Sequence, residues 1–154
     1  MSTERPVQAS PASSPRPAPV RLTSGAEAVR ALEALDWAVV RAEKGASGDA
    51  APFASCDDFR AAATEYVTDV RARLDRIMMS SDAEEGLEAL REAGALSAML
   101  PEVDAMVGFG DGEWRHKDVW KHTKQVVRQA VPRLEVRWAA LLHDIGKIKT
   151  RSIS

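Results

Sequence analysis

The chain has 154 residues, 45% of them hydrophobic and 29% charged, with a net charge of −2, a composition that suits one folded domain and not a disordered polymer. Its longest apolar runs, residues 37–40 and 138–142, fall far short of the roughly 20 residues that a bilayer crossing needs, so no membrane span is expected. A single cysteine, Cys56, excludes an intramolecular disulfide and, being remote in sequence from every histidine, a thiolate zinc site.

Residues 1–23 carry Pro6, Pro11, Pro15, Pro17 and Pro19 among serine and alanine, a composition that cannot bury enough surface to offset the entropy of ordering. They read as a disordered leader. The same stretch lacks the basic start and apolar segment of a secretory signal, so the expected location is the cytoplasm. In residues 24–54, Ala28, Leu32, Leu35 and Val39 recur at helical spacing over 26–44, and Gly45 stops the helix ahead of a linker. Residues 55–112 open with Ser55 and Asp58, spaced as a capping box for one helix to about Met79 with Phe59, Ala63, Tyr66, Val70, Leu74 and Ile77 as its apolar stripe. Ser81 with Glu84 repeats the cap, Leu87, Leu90 and Ala93 form the next stripe, Gly94 ends it, and Pro101 can open a further short helix. No alternating strand or hairpin turn occurs, so the expected fold class is all-α.

All three histidines fall between residues 116 and 147. Asp118 can cap a helix to about Ala130, closed by Pro132, on which Val119, His122 and Val126 share a face. Over 135–145, Val136, Ala139, Ala140 and His143 follow the same spacing, with Asp144 next to the histidine. Both His122 and His143 are thus expected to point inward. Two imidazoles and a carboxylate suit a divalent ion, with Mn, Mg, Co, Fe, Ni and Zn not distinguished; a hydrogen-bonded core histidine is the plainer role for either alone. Residues 113–154 also hold ten Lys/Arg against four Asp/Glu, which favours anionic partners such as phosphates or nucleic acid, or else marks a solvated face.

His122, followed after twenty residues by the doublet in His143-Asp144-Ile145-Gly146-Lys147, resembles the first half of the HD superfamily of metal-dependent phosphohydrolases, the HDIG motif. Within it, HKDVWKHT at 116–123 and EVRWAALLHDIGK at 135–147 are similar to tRNA nucleotidyltransferases and poly(A) polymerase-like proteins. GLEALREAGALSAMLPEV at 86–103 is similar to the helical connector of that group. The likeness runs from about Val70 to Ser154. It implies a helical connector over 55–112 followed by the N-terminal half of an HD helical bundle over 113–154. It further implies His122, His143 and Asp144 as ligands of a divalent metal ion, with Asp144 also acting in catalysis on a water poised to attack a phosphoester. Lys147, Arg151 and His116 would contact a substrate phosphate, and the substrate would be a nucleotide or an RNA phosphoester, tRNA among the possible partners. The superfamily's fourth ligand, a later aspartate, has no counterpart, because residues 145–154 contain no Asp, Glu or His. Two other functions stay open: an RNA-binding helical module, and an inactive truncated relic of a tRNA nucleotidyltransferase-like protein. Nothing in the sequence specifies an oligomeric state.

Overall fold

The computed structural model describes residues 25–46, 48–108 and 119–146, and every regular element among them is a helix, as the all-α expectation requires. The leader over residues 1–23 lies outside the described residues, as does Asp118. None of the described helices is long and apolar enough to cross a membrane.

Helix α1 (Ala26–Lys44) is the central element, touching α2 (Cys56–Glu65), α3 (Val67–Met78) and α4 (Ala83–Ala93). Its inward face is largely alanine, with Ala28, Ala31, Ala34, Ala38 and Ala42 buried beside Leu35 and Val39. Small side chains let neighbouring helices approach closely, and α4 uses this at Gly86. A Cβ there would stand 2.6 Å from the Cβ of Ala42 and 2.6 Å from Cγ2 of Ile77. Gly45 ends α1 with φ 91°, its N–H donating to the carbonyl of Arg41.

The expected single helix over 55–79 is two. Ser55 forms the anticipated capping box, its hydroxyl accepting from the N–H of Asp58 at 3.1 Å and its own N–H donating to the Asp58 carboxylate at 2.9 Å. The helix then breaks at Tyr66, where φ is −130° and ψ 45°. Tyr66 is left exposed instead of packed, and the burial continues with Ala62 before the break and Val70, Ile77 and Met78 after it. The cap of α4 also differs from expectation by one residue. Asp82, not Ser81, accepts from the N–H of Glu85 at 3.0 Å, while its own N–H donates to the carbonyl of Ala42 at the end of α1. Gly94, at φ 88°, ends α4 as expected and leads directly into α5 (Ala95–Met99), and Pro101 opens α6 (Pro101–Asp104).

The two histidine-bearing helices, α7 (Val119–Gln129) and α8 (Leu134–Leu142), pack on each other, with α7 also on α4 and α8 also on α3. Three polar clusters fix this corner. Glu88 of α4 accepts from Trp120 Nε1 at 3.0 Å, Lys124 Nζ at 2.9 Å and Arg91 Nε at 2.8 Å. Trp138 of α8 donates to Asp75 of α3 at 2.9 Å. Arg137 is buried, and its guanidinium donates to the carbonyls of Met78, the last residue of α3, of Ser80 just beyond it, and of Arg128 and Ala130 at the end of α7. Those are carbonyls that a helix end leaves without intrahelical partners, so one cation seals two helix C-termini.

Candidate functional site

Helix α7 buries Trp120, Thr123 and Val127, a set offset by one position from the expected Val119, His122 and Val126. One residue on a helix is about 100° of rotation, so His122 faces solvent and Val119 and Val126 lie at the margin. Helix α8 shows the same offset: Arg137, Leu141 and then Asp144 are buried, whereas Ala139 and His143 are exposed. The inward orientation expected of both histidines is therefore corrected. The cause is the bulk and bonding of the neighbouring positions. Burying the Trp120 indole satisfies its N–H on Glu88, and burying Arg137 satisfies its cation on backbone oxygens, so these residues set the helix rotation in place of valine and alanine.

Asp144 is the group this rotation takes inside, with 1% of its surface accessible. Its Oδ2 accepts from the hydroxyl of Thr123 at 3.3 Å, and its Oδ1 lies 3.2 Å from Nε2 of His143. The ring of His143 is fixed from the other side by Nδ1, 2.6 Å from the carbonyl oxygen of Ala140. A carbonyl only accepts, so Nδ1 carries the hydrogen in that bond. Thr123, fully buried, also touches Met106 Sδ at 3.7 Å. Thr123 is marked in the sequence only by the 120, 123, 127 spacing, which competes with the valine pattern one residue earlier.

A divalent ion is implied by the HD likeness, and the His143–Asp144 pair fits two positions around one. Neighbouring donors at about 2.0–2.2 Å from a shared ion stand roughly 3 Å apart, close to the observed separation, and a ligating imidazole usually donates its other nitrogen to a carbonyl or carboxylate. A third donor does not join them. No group of three His, Cys, Asp or Glu side chains placed to hold an ion occurs among the described residues, and His122 is exposed on α7. His116, Lys147 and Arg151 lie outside the described residues.

The cations of α7 are distributed differently from a simple open basic face. Lys124 is paired with Glu88, and Arg128 lies 3.9 Å from Asp82 and 3.6 Å from Glu84, so the acidic side of α4 meets the basic side of α7. Lys121 and Arg133 are exposed, the latter beside Glu135 at 3.2 Å.

About half of the chain is similar to bacterial tRNA nucleotidyltransferases. It is 40% identical over 79 residues to the Multifunctional CCA protein of Ectopseudomonas mendocina, a stretch that makes up 48% of this chain and 19% of that protein. It is 37% identical over 86 residues to the A-adding tRNA nucleotidyltransferase of Deinococcus radiodurans, covering 53% of this chain and 20% of the relative. It is 38% identical over 87 residues to the CC-adding tRNA nucleotidyltransferase of Thermus thermophilus, again covering 53% and 20%. The chain thus carries a tRNA nucleotidyltransferase-like region and spans about a fifth of the length of these relatives. No protein-family profile matches it, and no solved structure does. The nucleotidyltransferase side of the sequence resemblance is the side these relatives support; the HD superfamily has no match of its own.

Proposed function

We propose that this chain is a helical tRNA-handling module of the tRNA nucleotidyltransferase kind. The observation that carries this is the similarity, at 37–40% identity, to proteins named for A addition, for CC addition and for the whole CCA. A segment common to enzymes that add different nucleotides is not the element that selects the nucleotide. What the two nucleotidyltransferases share by name is tRNA, so the shared helices serve to engage or support it. The positive surplus over residues 113–154 is consistent in sign, since phosphate contacts dominate nucleic-acid affinity. Fluorescence anisotropy with labelled tRNA tests this: the chain binds at 50 mM salt, weakens as salt is raised to 200 mM, and is indifferent to EDTA. Absence of binding at low salt, or binding that needs a metal, contradicts it.

The His143–Asp144 geometry favours a second reading, a phosphohydrolase of the HD type acting on a nucleotide or RNA phosphoester. In this reading His122, His143 and Asp144 hold a divalent ion, which requires the α7 histidine to turn from solvent toward the pair. The ion when bound supplies Lewis acidity toward a phosphoryl oxygen. Asp144 is the catalytic carboxylate, and His116, Lys147 and Arg151 bind the substrate phosphate. Hydrolysis of bis(p-nitrophenyl) phosphate with added Mn2+, lost in Asp144→Asn, supports this reading; equal rates in the wild type and that variant remove it.

A further inference from the structure

We propose that the outer face of α7, carrying Lys121, His122, Gln125, Arg128 and Gln129, is the surface on which this chain receives the phosphate backbone of tRNA. The inference rests on the tRNA reading above and deepens it by naming the surface.

The sequence of α7, VWKHTKQVVRQ, contains no aspartate or glutamate. Every other described helix of eight or more residues holds at least one carboxylate, α8 through Glu135. At about 100° per residue, Trp120, Thr123 and Val127 turn into the core. Lys121, His122, Gln125, Arg128 and Gln129 spread over the opposite side, and all five are exposed. Each of these side chains can donate a hydrogen bond and none is an anion. Lysine, arginine and glutamine are ordinary ligands of phosphate oxygens, where they fix position without reading sequence. Lys121 and Arg128 stand about 10 Å apart along the helix axis, so the face is extended along the helix. The single aromatic of α7, Trp120, is buried, which leaves this face no ring on which a base could stack. It is built for the backbone.

The carboxylates of α4 sort the cations of α7. Lys124 is committed to the fold: its Nζ lies 2.9 Å from Glu88 and 5.3 Å from the centre of the Trp120 ring, and its side chain is 13% exposed. Arg128, on the border with α4, is 53% exposed and stands 3.9 Å from Asp82 and 3.6 Å from Glu84, beyond hydrogen-bond reach. Arginines of α3 are held more closely, Arg73 by Asp36 at 2.7 Å and Arg76 by Glu43 at 2.8 Å. Loose, exposed ion pairs contribute little, so Arg128 gives up little in turning to a phosphate.

The test is fluorescence anisotropy of labelled tRNA with the full chain at several salt concentrations, with a melting curve for every variant. The double variant Lys121→Gln/Arg128→Gln is expected to bind roughly 10- to 100-fold more weakly at 50 mM salt, and the slope of log affinity against log salt is expected to become shallower by about 1.5. Arg60→Gln/Arg71→Gln removes the same charge from exposed sites on α2 and α3 and is expected to match the wild type within about threefold. Should the first double variant not fold, Gln125→Glu carries the test. It places an anion within the face at little cost in helix propensity and is expected to weaken binding at least about fivefold. Wild-type affinity and slope in the folded α7 variants overturn the inference alone, and so does equal weakening by the α2–α3 variant, which would reduce the effect to net charge. A wild type that binds no tRNA at 50 mM salt overturns it together with the tRNA reading.

Discussion

Glu88 shows how one carboxylate can hold two helices together. Burial pushes its carboxyl upward, but hydrogen bonds from Arg91, Lys124 and Trp120, reinforced by the charge of Lys124, outweigh this and hold it at about 2, below its ordinary 4.5. A carboxyl depressed on folding contributes stability that is present above pH 4.5 and is lost as the pH falls through 2. Urea melts between pH 5 and pH 2 should therefore show a loss of about 1–2 kcal/mol, after allowance for solvent screening, that Glu88→Gln lacks. Gly86 is the opposite kind of residue, needed for what it omits. Alanine there gains roughly 1 kcal/mol of helix propensity, but its Cβ would meet the Cβ of Ala42, which is fixed to the α1 backbone, and Ile77. Overpacking of about 1–3 kcal/mol should win, so Gly86→Ala is expected to lower the urea midpoint; an unchanged or raised midpoint would show that α1 and α4 can separate without loss.

At the level of elements, the sequence was most legible where a local signal had no competitor. The stripe of α1, the Ser55–Asp58 box and the glycine at 94 all act through their own neighbours, and the structure has each of them. The break at Tyr66 carries no glycine or proline and so left no mark; continued periodicity through Tyr66 predicted burial where there is exposure. The rotations of α7 and α8 depart from the periodicity for a related reason. Val119 and Val126, and Val136, Ala139 and Ala140, give a valid apolar face that takes in His122 and His143, and only the tertiary partners of Trp120, Thr123 and Arg137 select the other face. The α4 cap offers a direct check. Asp82→Ala should cost about 1 kcal/mol while Ser81→Ala changes stability by a few tenths at most, measured by thermal melting; the reverse order would restore Ser81 as the cap.

For the molecule as a whole, the all-α architecture followed from the sequence, while the site was readable only as a set of residue types. His143 and Asp144 are brought together as a pair because they are adjacent at the end of α8, but the third expected member depended on the rotation of a separate helix, which periodicity left ambiguous. The charge surplus over 113–154 was equally clear in sign, yet its use was not. Lys124 and Arg128 engage the carboxylates of α4, a pairing between segments distant in sequence that no local count reveals. About half of the chain is similar to tRNA nucleotidyltransferases, and tRNA binding is the property that this similarity leads us to propose. Competition binding addresses it most directly: labelled tRNA bound to the full chain is challenged with unlabelled tRNA and with an unstructured RNA of equal length at the same salt. Displacement by tRNA at about a tenth of the concentration required of the unstructured RNA, the smallest discrimination we would count as specific and worth about 1.4 kcal/mol, is the predicted result. Equal displacement by both would reduce the interaction to bulk charge and contradict the proposal.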